Sequence, residues 1–181
     1  MNSIKIKNSG SGPIKVGLFK NLGDFQPSFD AEKIIDIGPG ASSEHVQLAE
    51  GWEGRAQKLS GKPEDPATWL EFHFNAWQDM TFADISLIRG YNGAAKISSE
   101  DGTANRGFSQ DLYGDAPEKY KMKDSNGTPV LAATEPYTGG RNDELVAYYR
   151  SKVENGQAWM DNTDKHADRG TVNKQLNFEF F

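Results

Sequence analysis

Short runs of alternating apolar and polar residues recur along most of the chain. IKIKN, from Ile4 to Asn8, alternates strictly, and IKVGLF, from Ile14 to Phe19, follows the turn cluster SGSGP. Because successive side chains of a strand point to opposite faces, a period of two indicates half-buried strands. The two runs and their short connection predict a β-hairpin at the start of the chain.

Three more short apolar runs follow before residue 60. They lie around Ile34–Ile37, Val46–Leu48 and Arg55–Leu59, and they are separated by a Gly-Pro-Gly turn and by glycine-containing bends. Glycine and proline interrupt regular structure at such positions. These runs are therefore predicted to be further strands.

The segment TWLEFHFNAWQDMTFADISLIRG carries ionisable residues among its apolar ones. Leu70 and Phe72 share one parity, and Glu71 and His73 share the other. The first pair is predicted to lie in the core and the second on the exposed face of a strand. Phe82–Ile88 predicts the neighbouring strand, which is richer in apolar residues.

The second half of the chain differs in character. Residues 99–141 have little periodicity and many turn-forming residues, which predicts a loop-rich insertion. Residues 142–156 predict the single helix, because acidic residues occupy the first turn, apolar residues such as Leu145 and Tyr149 fall at helical spacing, and a glycine ends the segment. QLNFEFF predicts a final strand.

Many short strands, one helix near the C-terminus and no alternation of strands with helices indicate an all-β fold. The expected architecture is an antiparallel β-sandwich or jelly roll with long loops, formed as one domain by residues 1–181.

Composition narrows the classes of partner. The net charge is −6 and there is no cysteine. An acidic chain without a basic cluster in its sequence argues against nucleic acid and against an anionic membrane surface. The absence of cysteine excludes disulfides, zinc–thiolate sites and cysteine nucleophiles. No window approaches the roughly 20 apolar residues of a membrane-spanning helix. No cofactor-binding motif is present, so no cofactor is expected.

The N-terminal residues lack the apolar region of a signal peptide. The expected location is the cytoplasm if Met1 is the natural start, and outside the cell if a leader was removed before Met1. Nothing in the sequence indicates an oligomeric state.

Three aspartates, Asp161, Asp164 and Asp168, are crowded in WMDNTDKHADRG. Carboxylates in a loop can bind a hard cation such as calcium, but this spacing does not match an EF-hand loop. The favoured interpretation is that they cap turns, and no metal site is predicted.

Glu71 and Asp84 form the most distinctive pair of candidate residues, because they lie on consecutive predicted strands. Two carboxylates that flank a cleft can hydrolyse a glycosidic bond, with one acting as acid and the other as base or nucleophile. The alternative is that both residues belong to the solvent-exposed face of an ordinary sheet. The pattern alone favours that alternative.

Several segments resemble the thaumatin-like (osmotin, pathogenesis-related) family. That family carries a TLAEF segment followed by YDISLVDGFN at nearly the spacing found here, and weaker matches surround these two. The matching segments are Ser3–Lys7, Ile37–Gly40, Gly51–Arg55, Trp69–Phe72, Phe82–Ile88 and Gly90–Asn92. The resemblance covers residues 3–98, with a further plausible strand at the C-terminus.

The resemblance implies a β-sandwich whose loops border an electronegative cleft. The family's cleft uses an arginine, a glutamate and three aspartates, and Arg55, Glu71 and Asp84 match three of these positions. Arg89 stands where the family has its next aspartate, which reverses the charge. The last cleft aspartate has no assigned counterpart in this sequence, and the family's disulfides are absent.

The charge reversal changes the functional expectation. An arginine near Glu71 or Asp84 is expected to lower their pKa values, whereas a general acid needs a raised pKa. The prediction is therefore a non-enzymatic site that holds a polysaccharide or oligosaccharide. Its ligand-binding residues are predicted to be Arg55, Glu71, His73, Asp84, Arg89 and Tyr91, and Trp52 and Trp77 are further aromatic residues that could stack on sugar rings.

The resemblance implies β-1,3-glucan or another cell-wall polymer as the ligand, with a defence-related or antifungal role. Two alternatives stay open. One is a weak endo-β-1,3-glucanase that uses Glu71 and Asp84. The other is a structural or protein-interaction protein in which the cleft is idle and the charged residues form an ion-pair network.

Overall fold

A computed structural model describes residues 1–181, and nearly all of its regular structure is β-sheet. The elements in chain order are β1 (Ser3–Asn8), β2 (Ile14–Lys20), β3 (Lys33–Ile37), β4 (Val46–Gln47), β5 (Glu53–Lys58), β6 (Trp69–His73), β7 (Thr81–Ser86), β8 (Ala95–Ser99), β9 (Asn105–Gly107), β10 (Lys121–Lys123), β11 (Pro129–Leu131), α1 (Asp143–Lys152), β12 (Arg169–Thr171) and β13 (Gln175–Phe180). Short 3₁₀ turns occur at Trp77–Asp79 and Glu118–Tyr120.

Two sheets form the sandwich. One has five strands in the order β4-β1-β13-β8-β9, and the other has six in the order β12-β7-β6-β5-β2-β3. Neighbouring strands are antiparallel except β1 and β13, the first and last strands, which pair in parallel. The predicted all-β sandwich with one helix is confirmed.

The predicted N-terminal hairpin is wrong. β1 pairs with β13 and β4, whereas β2 pairs with β3 and β5 in the opposite sheet. The SGSGP turn therefore carries the chain from one sheet to the other. A local alternation indicates that each segment is a strand, but it does not identify the partner.

The core lies between the sheets and is formed by the apolar parity of each strand. Leu70 and Phe72 of β6 are buried in it, together with Leu176 and Phe178 of β13. The ring of Trp52 stacks on that of Phe72 with 4.6 Å between their centroids. Trp52 is fully buried, so this ring is a core residue and does not lie on a ligand-binding surface.

Of the predicted insertion at residues 99–141, β9 joins the five-stranded sheet, whereas β10 and β11 form a separate pair that Tyr91 attaches to the sandwich. Tyr91 is 4% exposed and forms an isolated bridge with Leu131. Its hydroxyl accepts a hydrogen bond from the Leu112 amide at 3.0 Å and donates one to Asp111 at 3.3 Å. Tyr91 was expected to contact a ligand, but the structure places it in the core, where it anchors the insertion.

The helix α1 packs its predicted apolar face inward, with Leu145 and Tyr149 fully buried. No helix of this chain combines the length and the apolar character needed to cross a lipid bilayer.

Candidate functional site

A row of side chains crosses the outer face of the six-stranded sheet. Phe19 of β2 lies opposite Arg55 of β5, Arg55 lies opposite Glu71 of β6, and Glu71 lies opposite Asp84 of β7. Side chains directly opposite each other in antiparallel strands have Cβ atoms roughly 4.5–5.5 Å apart. The register therefore brings Arg55, Glu71 and Asp84 together, and all three face away from the main core.

Arg55 lies at the covered end of this row. It is 1% exposed, and its guanidinium stacks over the ring of Trp69 at 3.8 Å and over that of Phe19 at 4.3 Å. Its Nη1 donates to the carbonyl of Ser28 at 2.8 Å, and its Nε donates to the Gln57 side chain at 3.0 Å. Burial lowers the pKa of Arg55 to about 10, which leaves it cationic near neutral pH. Arg55 therefore flanks Glu71 as a buried cation.

Glu71 and Asp84 are half-buried, although the strand pattern predicts an exposed face. Their side chains hydrogen-bond to each other. Burial raises the pKa of Asp84 well above its usual value, and repulsion from Glu71 raises it further. Burial also raises the pKa of Glu71, although the hydrogen bond from Asp84 and the charge of Arg55 act in the opposite direction. Burial and mutual repulsion therefore favour a single proton shared between the two carboxyls.

The predicted lowering of the carboxyl pKa values by Arg89 is present at Glu71 but does not set the net direction. Its charge does favour ionised Glu71, but burial outweighs it and the pKa of Glu71 rises. Arg89 forms no ion pair with either carboxylate. Its Nη1 donates to the Glu135 carbonyl at 2.6 Å, and its guanidinium stacks on the Tyr137 ring at 3.8 Å.

A third carboxylate, that of Asp168, completes the row. Arg169 of β12 pairs with Ala83 of β7, so Asp168, one residue earlier, lies beside Asp84. Asp168 is exposed at the end of the row. Its carboxyl group is nevertheless partly desolvated, which raises its pKa, and the charges of Arg106 and His73 counteract this rise. The sequence groups Asp168 with Asp161 and Asp164, whereas the structure separates it from them. No sequence signal predicts this placement, because it depends on the pairing of β12 with β7.

His73 lies in the next row of the same face. It is opposite Glu53, with 3.9 Å between the imidazole Nε2 and the carboxylate, and opposite Phe82 on its other side. We call the patch of Glu71, Asp84, Asp168 and His73 the carboxylate cleft, after the cleft that the family resemblance predicts. Tyr137 and Arg89 form the rim of the carboxylate cleft. Tyr137 is 66% exposed, and its hydroxyl lies near enough to influence the pKa of Arg55.

Hydrogen-bonding capacity is left unused on this face. Seven buried side-chain polar atoms of the protein have no hydrogen-bond partner, and three of them are Arg55 Nη2, Trp69 Nε1 and Asp84 Oδ1. Buried polar groups are nearly always satisfied in folded proteins, and exceptions concentrate at sites with a function. The cleft is therefore the region where the chain departs most from optimal polar packing.

The β6–β7 hairpin that carries Glu71 and Asp84 ends in a loop with an exposed tryptophan. Trp77 is 69% exposed, and Asn75, Gln78 and Asp79 all adopt φ values of 53–56°. The Asn75 side chain stabilises this strained backbone, since its Oδ1 accepts from Asn2 at 2.7 Å and from the Gly51 amide at 2.9 Å. Of the three aromatic residues considered for sugar stacking, Trp77 alone is exposed.

Asp161 and Asp164 form a separate network beneath α1. Asp161 is buried and accepts hydrogen bonds from Arg141 at 2.9 Å and Thr163 at 2.6 Å, and the Arg150 guanidinium lies 3.1 Å away. Asp164 pairs with Arg150 at 2.9 Å. No three acidic or histidine side chains of the chain are placed to hold a metal ion. These two aspartates connect the helix to the loop that leads into β12.

Replacing Asp161 by asparagine is expected to destabilise the protein by about 1–2 kcal/mol at pH 7, because its hydrogen bonds with the arginines are charge-assisted. Burial pushes the pKa of Asp161 upward, but the Thr163 hydrogen bonds and the Arg150 charge outweigh it and lower the pKa. Its stabilisation is thus present above the unfolded pKa of 3.8 and is lost as the pH falls through the lower folded pKa.

Urea unfolding of Asp161→Asn and of the wild type, at pH 7 and in acid, checks this expectation. The difference between their free energies of unfolding should be smaller in acid than at pH 7. Asp143→Asn is the matched control, since its pair with Arg141 is exposed and contributes little. Equal effects of the two substitutions would contradict a special role for the buried carboxylate.

No protein-family model and no curated protein matches this chain. Two solved structures resemble it over nearly their whole length. The thaumatin-like xylanase inhibitor TLXI matches with a TM-score of 0.50 and 11% identity, over 98% of this chain and 97% of the inhibitor. The protein elicitor MoHrip2 from Magnaporthe oryzae matches with a TM-score of 0.49 and 8% identity, over 99% of this chain and 98% of the elicitor. At such identities only the fold is comparable, and the fold of this chain is a thaumatin-like β-sandwich.

Proposed function

We propose that this protein is a non-enzymatic carbohydrate-binding protein that holds a neutral, hydroxyl-rich polysaccharide in the carboxylate cleft. The observation that carries the proposal is the row of Glu71, Asp84 and Asp168 on the outer sheet face, flanked by the buried Arg55. Carboxylates accept strong hydrogen bonds from hydroxyl groups. β-1,3-Glucan or another cell-wall polymer is the proposed ligand, and defence is the proposed role.

The rim supports a polymeric ligand. Tyr137 presents an exposed ring above Arg89, and Trp77 presents another at the tip of the hairpin that bears two of the carboxyls. Aromatic rings combine a large apolar face with little conformational freedom, which suits the packing of a sugar ring. The strained but hydrogen-bonded loop around Trp77 lowers the entropic cost of holding this ring in place.

The spacing of the carboxyls argues against hydrolysis by Glu71 and Asp84. A retaining glycosidase separates its carboxyls by about 5–5.5 Å and an inverting one by about 6.5–9.5 Å, so that the anomeric carbon or a water fits between them. Glu71 and Asp84 are instead direct cross-strand neighbours whose carboxyl groups interact with each other.

A weak endo-β-1,3-glucanase stays the second candidate because of one observation. The raised pKa of Asp84 beside Glu71 is what a general acid requires. Reducing-sugar release from laminarin that disappears in Glu71→Gln would favour this candidate. No release from laminarin would remove it.

The double variant Glu71→Gln, Asp168→Asn is expected to bind laminari-oligosaccharides at least roughly tenfold more weakly than the wild type, since charge-assisted hydrogen bonds contribute about 1.5–3 kcal/mol each. Isothermal titration calorimetry at pH 6 measures the affinities. Asp24→Asn, on an exposed loop, is the control and should bind like the wild type. Absence of binding by the wild type across neutral glucans would overturn the proposal and leave the idle-cleft alternative.

A further inference from the structure

The outer face of the five-stranded sheet carries a second polar groove, on the opposite side of the sandwich from the carboxylate cleft. Its cavity volume is about 400 Å³. The residues that line it include Lys5, Lys7, Lys96, Ser98, Asn105 and Asn177. These residues have the polar parity of β1, β8, β9 and β13, while the apolar parity of the same strands is buried in the core. Ser42, which bridges to Lys7, borders the groove, and Lys5 and Lys7 are exposed.

Register orders these side chains in two parallel rows. Lys7 lies opposite Glu179, which lies opposite Lys96 on the next strand. With strands about 4.8 Å apart, the two lysines that flank Glu179 are separated by roughly 10 Å across the sheet.

The second row provides uncharged hydrogen-bonding groups beside the lysines. Lys5 lies opposite Asn177, Asn177 lies opposite Ser98, and Ser98 lies opposite Asn105. Lys5 and Lys7 are two residues apart on β1, so their ammonium groups project from the same face.

The groove is basic although the chain as a whole carries a net charge of −6. Three ammonium groups face one carboxylate, that of Glu179, which already accepts a hydrogen bond from Ser9 at 2.5 Å. No carboxylate lies within 4.0 Å of Lys5, Lys7 or Lys96, since none of them occurs among the ion pairs of the structure. Three unpaired cations in one groove are complementary to an anionic ligand.

We propose that this groove binds an acidic polysaccharide that bears carboxylate groups. Lysine ammonium groups suit such isolated anionic charges, and the Asn and Ser side chains match the hydroxyl groups between them. Nucleic acid is disfavoured because the groove presents no exposed aromatic ring on which bases could stack and no arginine to grip phosphates bidentately. The extended rows fit a linear polymer that lies along or across the strands.

The test uses Lys5→Gln, Lys7→Gln, Lys96→Gln as a triple variant of the full chain. The control triple is Lys62→Gln, Lys123→Gln, Lys165→Gln, which removes the same number of charges from exposed positions elsewhere. Three probes are titrated at low salt: oligogalacturonate, poly-glutamate and laminari-oligosaccharide. Circular dichroism and thermal melting establish that both variants are folded.

The wild type and the control triple should bind oligogalacturonate, and the groove triple should bind at least roughly tenfold more weakly because it loses all three charge-assisted contacts. Added salt should weaken the binding by screening these charges. The proposal is overturned if the wild type does not bind oligogalacturonate or if the control triple loses as much affinity. It is also overturned if poly-glutamate binds equally well, since the groove would then recognise charge without hydroxyl groups. Laminari-oligosaccharide binding should be the same in both triples, which keeps this test independent of the cleft.

Discussion

Asp84→Asn is expected to be more stable than the wild type at pH 8, by about 1–3 kcal/mol. At that pH the wild type must either keep a proton on Asp84 or hold two carboxylates together in a half-buried site. The asparagine amide removes this conflict, because its NH₂ group donates to Glu71 and carries no charge. The substitution changes neither the size of the side chain nor its place in the β6–β7 pair.

The pH dependence gives the sharper test of the shared proton. Burial and the Glu71 charge raise the folded pKa of Asp84 above its unfolded value of 3.8, so the native state binds more protons than the unfolded state. The resulting stability is fully present below pH 3.8 and is lost as the pH rises through the raised folded pKa. The contribution of Asp84 to the free energy of unfolding should therefore fall from acid toward alkaline pH, so the stability of Asp84→Asn relative to the wild type should rise with pH.

Urea unfolding at pH values from 4 to 9 measures both profiles, with Asp24→Asn as the control for the loss of one exposed carboxylate. The higher stability of Asp84→Asn relative to the wild type should appear at alkaline pH and vanish in acid. Parallel profiles, or a variant that is less stable at pH 8, would show that Asp84 is ionised and stabilising in the native state. The carboxyl pair would then not share a proton.

Gly54→Ala is expected to destabilise the protein by roughly 3 kcal/mol or more, because overpacking against rigid backbone cannot be relieved by a rotamer change. A Cβ at this position would lie 2.0 Å from the carbonyl oxygen of Phe19 and 3.0 Å from the Cα of Lys20. β5 is hydrogen-bonded to β2 on one side and to β6 on the other, so it cannot move away without breaking a ladder.

Thermal melting should show this loss as a decrease in Tm of roughly 6–12 °C for a chain of this length. Gly38→Ala is the matched control, because a Cβ there meets no atom within 4 Å and the backbone has no positive φ. A Tm for Gly54→Ala close to that of Gly38→Ala would contradict the close approach of β2 and β5. Since Arg55 is the next residue, the variant should also weaken binding in the carboxylate cleft.

The sequence by itself determined the local features of this protein. Alternation identified most strands and the inward parity of Leu70 and Phe72, and helical spacing identified α1 with its buried Leu145 and Tyr149. These features are local, because the period of side-chain direction is a property of the strand or helix itself. The absence of cysteine likewise follows from composition alone.

The resemblance to the thaumatin-like family also came from the sequence, and the fold supports it. It brought Arg55, Glu71 and Asp84 into one candidate site before their register was known. The structure shows that they are direct cross-strand neighbours. It also adds Asp168, which the sequence could not place because β12 pairs with β7 across more than eighty residues of chain.

Tertiary structure alone decided which strands pair and what surrounds each polar group. β1 and β2 are adjacent in sequence but lie in different sheets, since partner choice depends on contacts between distant segments. The pKa values of Glu71 and Asp84 are raised because surrounding segments desolvate the pair. This desolvation outweighs the arginine charges, which were expected from the sequence to dominate. The burial of Tyr91 and Trp52 is also a tertiary effect. The exposure of each ring depends on the distant segments that pack over it, and the neighbouring residues in the sequence do not determine that exposure.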